Sequence, residues 1–429
     1  MGLLAKVTRE TPVQISADFL EHLFAGYPYH DFRVCFWDGS TWGRADQPRL
    51  TLVLEHPGAL RAMFLNPSEL TLGEACIYND FDIEGDIEAA LEMGEHLLSR
   101  EYSLSERLHL GTILEKLPAH GRPRAVAQPR KLRGAVHSKS RDRQAVTYHY
   151  DLPPEFYQLF LDRRMIYSCA YFQHPEENLD VAQEHKLDYL CRKLRLRRGE
   201  RLLDIGCGWG GLIIHAAAHY GVQALGVTLS ESQAELARQR IREGGLEENC
   251  SAQVRDYRDL NGTAKFGKIV SVGMFEHVGE ALLPEYFARA WRLLEPGGVF
   301  LNHGIAYSAK YQRRGPSFVD RYVFPDGELV PINTTLHAAE DAGFEVRDVE
   351  SLREHYALTL HQWGQRLEAN AEQARRIADV TTYRIWRLYM AGSAHAFRSG
   401  RLNLYQSLLT KSVSGSSGLP LRREDWYRK

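Results

Sequence analysis

The stretch RLLDIGCGWGG at residues 201–211 decides the fold. A short apolar run ends on Asp204, the chain turns through Gly206, Gly208, Gly210 and Gly211, and apolar residues resume at Leu212. Glycine adopts positive φ at no steric cost and lets a ligand lie against bare main chain. The pattern therefore predicts a strand, a cofactor-binding turn and a helix, placed at the C-terminal edge of a sheet. A glycine content this dense argues against a turn that serves no ligand. Dinucleotide sites share the GxGxG spacing but want an acid at the end of the second strand, about twenty residues on. This chain instead reads GVTLSESQ at 226–233, with Thr228, Ser230 and Gln233 in that region. The turn is thereby assigned to S-adenosylmethionine rather than to a dinucleotide.

Outward from the turn, strand-like and helix-like segments alternate: VQALGVTL, SESQAELARQRIRE, CSAQVRD, KIVSVG, EYFARAWRLLE and GVFLNHGIA. Strands separated by helices of this length imply a parallel sheet with right-handed crossovers. The expected fold is α/β, a Rossmann-like doubly wound sheet of the class I S-adenosylmethionine-dependent methyltransferase type, with a smaller α+β domain before it. The third strand runs into Arg255, Asp256 and Tyr257. There a carboxylate can meet an adenine amine and an aromatic ring can pack on its face. Asp256 taken alone reads better as a surface-loop residue, and it gains weight only beside the glycine turn.

A chain of 429 residues has room for a catalytic domain and a smaller one. In the N-terminal part FRVCFWDGSTWG (32–43) reads as a hairpin around Asp38 and Gly39, RLTLVLEH (49–56) as a strand, and ALRAMFL and IEAALEMGEHLLS as helices. The expected division is 1–117 as a docking or assembly domain, 118–144 as a linker and 145–429 as the catalytic domain. The linker region is strongly basic: Lys116, Arg122, Arg124, Arg130, Lys131, Arg133, Lys139, Arg141 and Arg143 are interrupted by one acid, Asp142. Such a run suits a phosphate-bearing surface, and a solvated linker face accounts for it equally well. Six scattered cysteines without a CxxC pair point to a reducing cytoplasm and away from a zinc site. No apolar run approaches the roughly 20 residues that span a bilayer, so any membrane contact is expected to be peripheral. SVSGSSG (412–418) reads as a flexible loop.

A family resemblance extends over about residues 145–411. YSCAYF (167–172), LDIGCGWGG, GVTLSESQ, SVGMFEHVG (271–279), LNHGI (301–305), FPDGELVP (324–331), HYALTLHQW (355–363) and YMAGSAHAFRSG (389–400) together resemble the cyclopropane fatty acid synthase family. The resemblance implies methyl transfer from S-adenosylmethionine to the cis double bond of an unsaturated phospholipid acyl chain. Loss of a proton to bound bicarbonate then closes a cyclopropane ring. It implies a bicarbonate cradle of Cys169, Glu276, His303, the Ile305 amide and Tyr356. The implied cofactor contacts are Tyr167, Ser168, Gly206, Gly208, Thr228, Leu229, Gln233 and Tyr257, to which the glycine-turn reading adds Asp204 and Asp256. His149, Tyr150 and Asp151 match a motif that closes over the site. Taken singly, Cys169 reads as a small buried residue and His303 as a satisfied core histidine, whereas Glu276 just after a buried strand needs a partner.

The resemblance also implies a homo-oligomer lying on the inner face of the membrane, with the basic linker and N-terminal domain as contacts and no nucleic-acid partner. Three positions depart from the family pattern. Two prolines in LPPEFY stiffen the approach to the next helix, Gly304 stands where relatives often carry threonine, and Ser393 where many carry cysteine. The motifs leave open a related enzyme whose product is a methyl- or methylene-branched chain. A small-molecule N-methyltransferase and a non-enzymatic lipid-binding protein are more distant alternatives.

Overall fold

The computed structural model describes residues 10–43, 45–119, 132–150, 152–310 and 317–427. The chain forms two compact units. One takes Met1–Pro129, Gly315–Arg321 and Val380–His395; the other takes Arg130–Arg314, Tyr322–Asp379 and Ala396–Lys429. Most of the expected basic linker, residues 120–131, lies outside the described residues, as does Asp151.

In the first unit, β1 (Phe32–Cys35), β2 (Thr41–Trp42), β3 (Leu50–Leu54) and β4 (Phe81–Gly85) form a sheet in the order β2-β1-β3-β4. β1 and β2 are the expected hairpin, antiparallel and turning where Gly39 takes φ 84°. β3 buries Leu50, Leu52 and Leu54 on one face, as its alternation requires. The helix Pro12–Leu23 begins on a capping box in which the Thr11 and Gln14 side chains each accept from the other's backbone amide.

The expected domain division was contiguous in sequence, whereas this unit recruits two later segments. Asp82 on β4 accepts from Arg384 at 2.9 Å and from Arg387 at 3.3 Å, and Arg384 also donates to the Cys76 carbonyl. These arginines lie about 300 residues downstream of their partners, a separation no local pattern reveals.

The second unit is built on a seven-stranded sheet. Its strands are β5 (Arg201–Ile205), β6 (Gln223–Thr228), β7 (Cys250–Val254), β8 (Phe266–Val272), β9 (Leu294–Tyr307), β10 (Glu345–Ser351) and β11 (Leu402–Thr410). They lie in the order β10-β11-β9-β8-β5-β6-β7. β5 through β9 are parallel as expected, with helices Gly211–Tyr220, Glu231–Glu243 and Leu283–Leu293 as connections. β11 departs from that expectation and runs antiparallel to both β9 and β10. The sheet is therefore mixed, because the chain enters β11 from the helix Val380–Arg398 at the opposite end from a right-handed crossover.

Both faces of this sheet are buried, and alternate residues divide between two cores. Leu202, Val270, Leu301 and Leu408 pack with the helices Leu179–Leu194 and Gly211–Tyr220. Their neighbours Leu203, Ile269, Phe300 and Leu409 pack with Leu283–Leu293 and Ile332–Asp341. This explains the near-continuous apolar runs of the strands.

In the first unit, Asp82→Ala removes the carboxylate from two guanidinium groups that are about 10% and 11% exposed and that also donate to backbone carbonyls. Its unfolding in urea is expected at a free energy lower by about 3 kcal/mol. A change below about 0.5 kcal/mol, the level of an exposed pair, would show that these ion pairs do not hold the segment.

Candidate active site

The strand order puts the C-terminal ends of β5, β6 and β8 side by side, and the turns that follow them enclose one cavity. At the end of β5, Gly206 takes φ 90°, and a Cβ there would stand 2.7 Å from the Met274 side chain. Gly211 opens the following helix against Ile166, where a Cβ would approach to 2.1 Å. The amides of Gly206 and Cys207 both donate to the Val227 carbonyl, which ties the turn to β6. All ten residues expected at the cofactor line this cavity: Tyr167, Ser168, Asp204, Gly206, Gly208, Thr228, Leu229, Gln233, Asp256 and Tyr257.

Their local partners define what each can still do. The Thr228 hydroxyl donates to Gln233 Oε1 at 2.8 Å, and Ser230 caps the helix Glu231–Glu243. Asp256 Oδ1 already accepts from the Arg258 amide and Nε, and Oδ2 from a guanidinium nitrogen at 2.7 Å. Remaining acceptor capacity on Asp256 is therefore concentrated on Oδ2. Arg258 also reaches Asp142 at 2.8 Å.

Asp142 belongs to the helix Lys139–Tyr150, which falls partly within the expected linker. Instead of a free basic face, this helix has Lys139 paired with Asp259 and Arg141 with Asp326, and its Asp142, Val146 and Tyr150 line the cavity. Within the matched motif, His149 is buried and donates through Nδ1 to the Val323 carbonyl, 3.0 Å away. Burial draws its pKa down to about 3.

Asp204, at the end of β5, is buried with Oδ1 lacking a protein partner among the described residues. Desolvation pushes its pKa up to about 7, against the opposing pull of Lys186. Lys186 is itself buried, donates to the Ser168 hydroxyl at 2.9 Å, and has its pKa drawn down to about 8 by desolvation. It was not among the expected site residues. A visible signal existed: lysine at 186 stands at helical spacing with Ala182 and Leu190, both fully buried.

The residues expected to cradle an anion, Cys169, Glu276, His303, Ile305 and Tyr356, do not line this cavity. Glu276 sits on the short turn Phe275–His277 after β8, and its Oε1 accepts from the Ile305 amide at 2.8 Å. Among the described residues its Oε2 is buried without a partner, and desolvation raises its pKa to about 7. His303 lies on β9 two residues before Ile305, with Nδ1 3.1 Å from the Gln406 amide and Nε2 buried without a partner among the described residues. Burial holds the imidazole well below its usual pKa, and the Lys186 and Lys193 charges add to this.

Cys169 donates to the Ala170 carbonyl at 3.2 Å, and burial pushes its thiol pKa up, so it stays protonated. Its segment is fastened to the helix Arg353–Ala369, since the Ala170 amide donates to Thr359 and the Phe172 amide to His355. That helix carries Tyr356, whose ring packs edge-on to Trp363 and tilted on Phe397. Tyr167, which lines the cavity, lies 5.1 Å from Trp363 and 5.9 Å from Tyr157. Trp209 packs 4.8 Å from Tyr157 and was missed by sequence reading, as were Lys186, Gln406 and Arg258. Gly304 faces the Phe275 ring, which a Cβ would meet at 2.8 Å, so Phe275 fills the space a threonine side chain would claim.

A Rossmann-like sheet with this glycine turn, and a cavity whose acceptors and bare main chain fit a nucleoside, define an S-adenosylmethionine-dependent methyltransferase. Residues 137–407 match the family described as mycolic acid cyclopropane synthetase, and residues 19–97 match a domain of unknown function. The chain belongs to the mycolic acid cyclopropane synthetase family. A protein of Pseudomonas putida named probable fatty acid methyltransferase is 42% identical over 92% of this chain and 96% of its own length. The cyclopropane-fatty-acyl-phospholipid synthase of Escherichia coli K12 is 38% identical over 64% of this chain and 69% of its own. Among solved structures, the mycolic acid cyclopropane synthase CmaA1 complexed with SAH and CTAB aligns with a TM-score of 0.59 and 34% identity. That alignment covers 62% of this chain and 97% of the other.

The raised pKa of Glu276 carries a stability consequence in the ligand-free protein. A carboxyl whose folded pKa lies above its unfolded value favours the fold fully below about pH 4.5, and this contribution is lost as pH rises toward 7. Glu276→Gln mimics the protonated form and escapes the loss. The variant is therefore expected to gain stability relative to the parent between about pH 5 and pH 8, by up to about 3 kcal/mol. Denaturant melts across that range test it, and a pH-independent difference would contradict the assignment.

Proposed function

We propose that the protein transfers a methyl group to the cis double bond of an unsaturated phospholipid acyl chain and closes a cyclopropane ring. The observation that carries the reading is the pair of buried polar atoms left without partners among the described residues, Glu276 Oε2 and His303 Nε2. They are an acceptor and a nitrogen that can donate, a pair that suits a small oxyanion such as bicarbonate, whereas the Ile305 amide expected to donate to that anion is already given to Glu276 Oε1.

S-Adenosylmethionine would be held by the glycine turn and by Thr228 and Tyr257 in the cavity, and would supply the methyl group; bicarbonate, held near Glu276 and His303, would supply the base for the methyl proton lost as the ring closes. Every other task falls to side chains. Tyr167 lines the cavity with Trp363 packed against it and Tyr356 edge-on to Trp363, and in this reading the aromatic group stabilises positive charge on the acyl chain and excludes water. Cys169 is too weakly acidic in its buried setting to be a nucleophile, and its thiol proton is already directed at the Ala170 carbonyl. Glu276 orients the anion through Oε2 while the Ile305 amide holds Oε1. Expected from this arrangement, Glu276→Gln binds S-adenosylmethionine within about twofold of the parent but loses roughly 100-fold or more in turnover. Calorimetry with a radiolabelled methyl assay checks both; equal turnover would remove Glu276 from the chemistry.

The likeness to the Pseudomonas putida protein, which spans nearly the whole chain, favours a second reading: a fatty acyl methyltransferase whose product is methyl- or methylene-branched. Proton NMR and mass spectrometry of lipids from expressing cells separate the two, because a ring and an exocyclic methylene share a mass but differ in proton shifts.

The lipid is expected to be reached at a membrane surface on the cytoplasmic side, by a self-associating protein. Among the described residues no helix is long and apolar enough to cross a membrane. Lys116 is paired with Glu10, and Lys139 and Arg141 are paired within the second unit. The docking charge is therefore assigned to the exposed Arg133 and Arg143 together with Arg122, Arg124, Arg130 and Lys131, of which the last four lie outside the described residues. Sedimentation with phosphatidylglycerol vesicles is expected to show binding that weakens as salt rises from about 20 to about 300 mM. Absence of binding at the lower salt would refute this part of the reading.

A further inference from the structure

On β11, Gln406 stands directly opposite His303 of β9 in the antiparallel register, and both are about 1% exposed. The Gln406 Oε1 is 2.9 Å from Lys193 Nζ, and its Nε2 is 3.1 Å from His303 Nδ1. Lys193 is fully buried, ion-paired to Glu350, and lies 4.7 Å over the Tyr189 ring and 5.1 Å over that of Trp426. Burial lowers its pKa, while the salt bridge to Glu350 and both ring faces hold it in the charged form.

An ammonium has donors and no lone pair, so the oxygen of the Gln406 amide has to face Lys193. The amide is planar and rigid, which leaves its NH2 group toward His303. A donor at that position demands a lone pair on Nδ1, and the single proton of a neutral imidazole then resides on Nε2. We infer that Lys193 and Gln406 act as a positioning relay that locks His303 in the Nε2–H tautomer. The wiring is opposite to that of a catalytic triad, where a carboxylate on Nδ1 makes Nε2 a base. His303 is thereby a hydrogen-bond donor that cannot itself remove a proton, and the base of the reaction has to come from elsewhere.

The tautomer assignment stands on these contacts alone; its effect on turnover rests on the function proposed above for His303. The test is two-bond 1H–15N imidazole correlation on the full-length protein with 15N-labelled histidine, the His303 signals being identified by their loss in His303→Gln. The parent is expected to show a protonated Nε2 and an unprotonated Nδ1 unchanged from about pH 5.5 to about pH 8. An Nδ1–H tautomer or an imidazolium in the parent overturns the inference without recourse to any variant.

In Gln406→Glu the carboxylate keeps Lys193 but can only accept from His303. The signals are expected to change to Nδ1–H or to the doubly protonated ring, with S-adenosylmethionine affinity within about twofold and turnover down roughly 100-fold. An unchanged tautomer in that variant overturns the relay. A changed tautomer with full turnover upholds the relay and overturns the role given to His303 in the proposed reaction.

Discussion

A sheet buried on both faces has no solvent with which to satisfy a polar side chain, and the rest of this structure follows from that constraint. Along β5, β8, β9 and β11 the polar residues are few, and most are matched internally. Ser271 donates to the Ile205 carbonyl, Tyr286 reaches Asn302, and Gln406 spans Lys193 and His303. Against that background the unpartnered atoms of Asp204, Glu276 and His303 stand out. They cluster at the C-terminal ends of neighbouring strands or in the turn just beyond, where an α/β sheet presents ligands. Their desolvation is a cost that folding alone does not recover, and a bound ligand offsets it.

The same burial sets the electrostatics. Desolvation raises Asp204 and Glu276 to about 7 and lowers Lys186 to about 8, which brings acids and base to nearly the same pKa. In water these groups would sit several units apart. The aromatic residues Tyr157, Tyr167, Trp209 and Trp363 surround this polar centre and keep the local dielectric low, so that each charge acts at greater strength.

Legibility followed sequence distance. The glycine turn, the parallel strands and the small hairpin could be read because each is governed by neighbours within a dozen residues: backbone sterics at Gly206, alternation in β3, turn chemistry at Gly39. β11 was missed because an antiparallel strand inserted late in the chain carries no helix-crossover signal, and with it went Gln406. Lys186 and Lys193 looked like ordinary helical lysines until the helix was seen to bury that face. The segment 139–144 read as linker because its composition is polar, whereas its ion pairs to Asp259, Arg258 and Asp326 come from turns more than a hundred residues away.

By itself, then, the sequence determined the class of fold, the cofactor turn and the candidate residues around it, since these depend on local conformational preference and on motif order. Only the tertiary structure decided which polar atoms are spent on the protein and which are left for a ligand. Hydrogen-bond satisfaction and desolvation are properties of the packed interior, set by groups such as Gln406 and the Ile305 amide that meet their partners only when distant strands pair.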